Sequence, residues 1–239
     1  MGLTCHYSLR SDASDATGAR QLVEALRKRA LDLPFAEVGE VVEITGSRCD
    51  CQKYDGNNPL RWLIVQAGQH IEREGTYYRV KPKHVVAFTT SPGNGCEDAN
   101  FGLALYPSVI LLPKQVGEHQ RSLRTGLKGW CWSSFCKTQY ASSPEAGGVE
   151  NFLRCHLSVI RMLDHAKELG ILGTVNDEGD FWEKRDVAAL AREVGDWNES
   201  MAALVGRLKD MFGGDFQAPI TQFPDFEHLE ARGTRRKKK

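Results

Sequence analysis

Between Leu60 and Pro107, short apolar runs alternate with clusters of turn-forming residues. The runs are "LRWLIVQAG" from Leu60, "TYYRV" from Thr76, "HVVAFTT" from His84 and "FGLALYP" from Phe101. "REG", "KPK" and "SPGNGCEDAN" punctuate them. Short strands joined by turns build an antiparallel meander, so this stretch restricts the chain to folds with an antiparallel sheet.

The flanks add helices. Leu3 to Leu9 alternates as a strand does. After the cap residues of "SDASDATGAR", the positions Ala19, Leu22, Val23, Leu26, Ala30 and Leu33 keep helical spacing, and Pro34 stops the helix. "EVGEVVEITG" reads as a second strand ended by Gly46, which gives a βαβ opening of the split type found in ferredoxin-like folds. Cys49 to Pro59 is turn-rich and reads as a loop. In the second half, "GWCWSSFCKTQYA" reads as a strand. Val149, Phe152, Leu153, His156, Ile160 and Leu163 share one helix face, with Gly170 as the stop. "ILGTVND" is a short strand, and Asp186 to about Phe212 is helix with a break near Gly195. The expectation is an α+β protein: an antiparallel sheet with helices mainly on one face, built as two ferredoxin-like halves. The segments are 1–128, a βαβ unit plus meander; 129–212, a β-α-β-α unit on the same sheet or core; and 213–239, a strap that Phe216, Phe223 and Phe226 could pin, ending in a basic tail.

The 239 residues hold 31 basic and 31 acidic side chains. Five of the basic ones, Arg235, Arg236, Lys237, Lys238 and Lys239, close the chain. Without them 26 basic residues face 31 acidic ones. Such a body repels phosphate and is a poor general nucleic-acid binder; the tail alone could contact an acidic partner. No secretory leader and no apolar run of membrane-spanning length is visible, so a cytoplasmic protein is expected, with no membrane partner. Seven cysteines, odd in number and irregular in spacing, are expected as thiols.

In "GWCWSSFCKTQYAS", strand alternation puts Trp130, Trp132, Ser134 and Cys136 on one face and Cys131, Ser133, Phe135 and Lys137 on the other. The two cysteines diverge as strand or as helix, and Cys49-x-Cys51 is too tight for a zinc ligand pair, so neither metal nor cofactor is expected. A nucleophile needs a base and an accessible thiol. Cys136, Lys137, Tyr140 and His156 are the candidate catalytic residues, provided that the helix packs on the strand. His156 lies on the apolar stripe, where a buried imidazole bonded to a neighbour is the commoner outcome. Glu97 and Asp98, in the loop "TTSPGNGCEDANFG", are candidate binding residues, as are Trp130 and Trp132. In "NDEGDFWEKRD", Asp180 reads as a helix N-cap with Glu183 three residues on, rather than as a calcium loop.

"FCKTQYAS", "GGVENFLRCHLSVIRMLDHAKELGI" and "DEGDFWEKRD" resemble segments of bacterial proteins that carry no assigned activity. The resemblance spans about Gly129 to Trp197. It implies a family of unknown function and transfers no catalytic role. Neither G-x-S-x-G nor G-x-G-x-x-G occurs. The first functional expectation is a soluble binding or interaction protein, through self-association or a small molecule. The alternative is a hydrolase or transferase with a pocket near Cys136, Tyr140 and His156.

Overall fold

The computed structural model describes residues 3–112, 120–196 and 204. The basic tail and the strap with Phe216, Phe223 and Phe226 lie outside the described residues.

Strand β1 (Thr4–Ser11) leads to helix α1 (Ala16–Leu31). Asp15 caps that helix, its Oδ1 accepting from the Gly18 N–H at 2.9 Å. Ala19, Val23, Leu26 and Ala30 form its buried stripe, and Lys28 and Arg29 in the last turn complement the helix dipole. The expected second strand is two short pieces, β2 (Glu37–Val38) and β3 (Val42–Thr45). Both pair with one neighbour in succession, separated at Gly39.

The run from Leu60 corrects the expected meander. It is helix α2 (Pro59–Ala67), not a strand. Asn58 accepts from the Leu60 N–H at 3.0 Å, Pro59 takes the first turn where its missing N–H costs nothing, and Gly68 follows the end. A short, largely apolar run does not separate helix from strand by periodicity. The caps decide, and the Tyr106 hydroxyl secures the far end by donating to the Ala67 carbonyl at 2.6 Å. The strand expected there begins later. β4 (Gln69–Arg73) pairs with β5 (Thr76–Val80) in a separate hairpin, turning at Glu74 and Gly75, both at positive φ.

β6 (His84–Ser91) and β7 (Ala99–Leu105) form the expected hairpin around the Pro92–Asp98 loop. β8 (Val109–Leu111) and β9 (Ser122–Arg124) make a second small hairpin. β10 (Trp130–Lys137) alternates as its sequence requires: Trp130, Trp132, Ser134 and Cys136 are buried, while Ser133 and Phe135 are exposed. Helix α3 (Gly148–Glu168) buries Phe152, Cys155, His156, Val159, Ile160, Leu163 and Ala166, and leaves Val149 exposed. β11 (Leu172–Asp177), the short helix α4 (Phe181–Lys184) and helical residues 187–196 follow, and the rest of the helix expected to about Phe212, apart from residue 204, lies outside the described residues.

The main sheet runs in the order β11-β1-β10-β7-β6-β2, with β3 also on β6, and every pairing is antiparallel. This is an α+β fold. The strands of the second half thus flank β1, and three strands stand between β1 and β2. Helices α1 and α3 pack on each other and on the sheet, and α2 packs on β10 and β6. Among the described residues no helix is long and apolar enough to cross a membrane.

Candidate functional site

The sheet opens between β10 and β7. β10 stays paired with β1 over eight residues but with β7 only at Trp130↔Leu105 and Cys131↔Ala104. The strands then part, and contact resumes where the Glu97 N–H donates to the Lys137 carbonyl at 3.0 Å. Side chains fill the gap. The Trp132 indole N–H and the Tyr7 hydroxyl both donate to the Asn100 carbonyl, at 3.0 and 2.8 Å. Gln66 of α2 accepts at Oε1 from Ser134 Oγ at 3.0 Å and from Asn100 Nδ2 at 2.6 Å. Buried polar groups require such partners, and Asn100 Oδ1 is left without one.

Beside this opening lies a cleft of about 940 Å³. One wall is α2, with Trp62, Leu63 and Gln66. The second is the β2–β3 edge, with Glu37 and Glu40. The third is the β6–β7 loop, with Cys96, Glu97 and Asp98, and Phe88, Asn100 and Phe135 complete the surround. Trp62 is 59% exposed and Phe135 40% exposed. Among the described residues four carboxylates line the cleft, and no lysine, arginine or histidine does. Glu40 is paired with Arg27 at 2.6 Å; Glu37, Glu97 and Asp98 make no ion pair among the described residues. Although Asp98 reaches solvent, crowding by the surrounding protein raises its carboxyl above the ordinary value, and the negative charge of Glu37 adds to this. The site is therefore a concave, aromatic-walled and electronegative surface.

The structure places the sequence candidates in three separate environments. Glu97 and Asp98 are on the cleft. Trp130 and Trp132 are buried core residues, Trp130 in edge contact with the His84 ring at 5.1 Å. Lys137 sits over the exposed Tyr140 ring at 5.1 Å from its centroid. Cys136 is sealed, its thiol donating to the Glu97 carbonyl at 3.1 Å. Burial, with Cys5 and Glu97 nearby, pushes that thiol well above its ordinary value, which is the reverse of activation.

His156 is fully buried. Its Nδ1 lies 3.0 Å from Thr138 Oγ1, and its Nε2 lies 3.2 Å from Asp177 Oδ1. Burial pushes the Asp177 carboxyl up, but the His156 hydrogen bond and the N–H groups of Trp182 and Gly179 outweigh it and hold the group below its ordinary value. Thr138, His156 and Asp177 have the residue types of a hydrolytic relay, yet all three are buried and neither described cavity reaches them. The imidazole is a satisfied core group. Asp177 also replaces the expected cap: Asp180 precedes α4 without a side-chain cap bond, while Asp177 accepts from the Trp182 N–H at 2.9 Å.

Glu37, Trp62, Gln66 and Phe135 escape the sequence reading. The signal for Trp62 and Gln66 was "NNP" before Leu60: a cap plus first-turn proline marks a helix whose stripe, Leu63, Ile64 and Ala67, leaves Trp62 outside. Phe135 falls on the non-core face by alternation. Comparison of the chain with protein-family models, with curated proteins and with solved structures returns no match.

Proposed function

We propose that the chain is a binding protein whose cleft holds a cationic small molecule of the amine or guanidinium class. The observation that carries this is the lining: three carboxylates without an ion pair and two exposed aromatic rings in about 940 Å³, with no basic side chain among the described residues. Carboxylates attract the charge, and Trp62, which already holds the Arg61 guanidinium 5.6 Å from its ring centroid, shows that a ring at this cleft keeps a cation beside it. The volume falls in the range of small-molecule pockets. A reducing, cytoplasmic setting is part of the proposal, supported by seven cysteines that are all unbridged.

Calorimetric titration with spermidine, agmatine and their neutral acetylated counterparts tests it. The cations should bind and the neutral compounds should not, with affinity falling as salt is added. Asp98→Asn together with Glu37→Gln should weaken binding about tenfold or more, roughly 1.4 kcal/mol. Equal binding of charged and neutral compounds, or no heat with either cation, would overturn the proposal.

A further inference from the structure

The concave surface does not end at Phe135. On β1, β10 and β11, alternation sends His6, Ser8, Ser133, Phe135, Thr174 and Asn176 to the face opposite the buried Cys5, Tyr7 and Cys136. The register sets them in two rows. His6 stands between Phe135 and Asn176, and Ser8 stands beside Ser133, with the Ser8 and Thr174 hydroxyls 2.8 Å apart. Together they line an open hollow of about 320 Å³. Phe135 lines both this hollow and the cleft. Ser134, also on the hollow, donates to Gln66 on the cleft wall at 3.0 Å. The two concavities thus adjoin at one ring.

The chemistry changes across that ring. The cleft carries the carboxylates, whereas among the described residues no carboxylate, lysine or arginine lines the hollow. Hydroxyl, amide and imidazole groups line it instead. His6, Ser133 and Asn176 are exposed, and their side chains make no hydrogen bond among the described residues. Their donors and acceptors are open to a ligand, and the hydroxyl and the amide each offer both kinds. The floor is aromatic: Phe135 is 40% exposed, and the His6 ring lies 5.7 Å from it between centroids, tilted by 37°. Such a floor takes a flat apolar face, and its polar rim takes hydroxyls. A sugar ring has that form, with C–H bonds on its faces and hydroxyls around its edge. The hollow is at the lower end of the range of small-molecule sites, about 300–1,000 Å³.

We propose that the ligand is an amino sugar. Its ammonium group sits among Glu37, Glu97 and Asp98, a sugar ring lies against Phe135, and its hydroxyls reach His6, Ser133 and Asn176. The proposal rests on the reading of the cleft as a cation site and names the class of cation. Charge fixes the direction of binding. An ammonium group on the hollow would give up the carboxylates, and a neutral ring pressed into the cleft would desolvate them without a partner. Hydroxyls on the hollow instead find the open side chains of β10, β1 and β11. A simple diamine uses the acidic half of this surface alone, and a neutral sugar uses the hydroxylated half alone.

Calorimetric titration of the full chain with four compounds, in mildly acidic buffer where sugar amines are protonated, tests this. The β-1,4 dimer of glucosamine carries charge and hydroxyls. Cadaverine carries the same two charges and no hydroxyl. The N-acetylated dimer and cellobiose carry hydroxyls and no charge. The glucosamine dimer should bind at least about tenfold more tightly than each of the other three. Ser133→Ala together with Asn176→Ala should remove its advantage over cadaverine. Circular dichroism establishes that this variant is folded, and the ranking on the unmodified chain needs no variant. Cadaverine binding as tightly as the glucosamine dimer, or no heat with that dimer, would overturn the proposal. Equal binding of the N-acetylated dimer would overturn it too, because charge would then play no part. An advantage over cadaverine that survives the double substitution would overturn the role of the hollow. The spermidine titration judges the cleft separately, so the amino-sugar assignment can fail while the cation site stands.

Discussion

His156 and Asp177 face each other at 3.2 Å with essentially no exposed side-chain surface, one on α3 and the other at the end of β11. This contact fastens the helix to the edge of the sheet. Asp177 also accepts the N–H groups that open α4, so one carboxylate serves three elements. Removing one partner from a buried pair strands the other. Asp177→Ala should therefore cost about 3–5 kcal/mol, read from urea denaturation at neutral pH.

The same carboxylate predicts an acid limb. Its folded value lies below the ordinary 3.8, so the unfolded chain takes up the proton first. The stability that it contributes is complete above 3.8 and is lost as pH falls through the lower folded value. Denaturation midpoints of the native chain should drop across that interval, and those of Asp177→Asn should drop less. Parallel profiles would assign the acid limb to other groups.

Trp132 and Tyr7 converge on the Asn100 carbonyl, but they do not contribute equally. Tyr7→Phe removes one of two donors and should cost about 0.5–1.5 kcal/mol. Trp132→Ala empties the gap between β10 and β7 and should cost about 3–5 kcal/mol. Chemical denaturation of both variants measures the difference. Equal losses would mean that the shared carbonyl, not packing, dominates the opening.

Gly95 holds the cleft loop against the turn after β10. Its φ is +78°, and an added Cβ would lie 2.6 Å from the Tyr140 carbonyl oxygen. Gly95→Ala must strain the backbone and push the turn away, at about 1–3 kcal/mol. Thermal unfolding reads the loss, and cation titration should show weaker binding because Glu97 and Asp98 move with the loop.

Cation binding should weaken in acid. The Asp98 carboxyl is raised, so it takes up a proton at higher pH than a free aspartate and the cleft loses charge early. Spermidine affinity should begin to fall above about pH 4, the ordinary carboxylate range. Trp62→Ala should lower affinity by about 0.5–2 kcal/mol with little effect on stability, because the ring is exposed. Calorimetry across pH and on the variant checks both.

Much of the fold was legible because it is local. The buried stripe of α1 appears as Ala19, Val23, Leu26 and Ala30, and the alternation of β10 assigns Trp132 inward and Phe135 outward. The run from Leu60 was misread because a short, largely apolar run satisfies helix and strand alike. Half of the acidic lining was legible too, since Glu97 and Asp98 sit in a long glycine-containing loop. Glu37 was hidden inside a segment that looks like any edge strand, and its meaning comes from facing Asp98.

The sequence by itself determined which segments coil, which extend and which face of each is apolar, because backbone sterics and side-chain period act over a few residues. It also determined that the two cysteines of "GWCWSSFCKTQYAS" point apart. Only the tertiary structure decided what those faces meet. It sealed His156 against Asp177, parted β10 from β7, and gathered Glu37, Trp62, Asp98 and Phe135 around one cleft. These relations join residues far apart in the chain, and strand order and competition for burial choose among many pairings that satisfy the same local pattern.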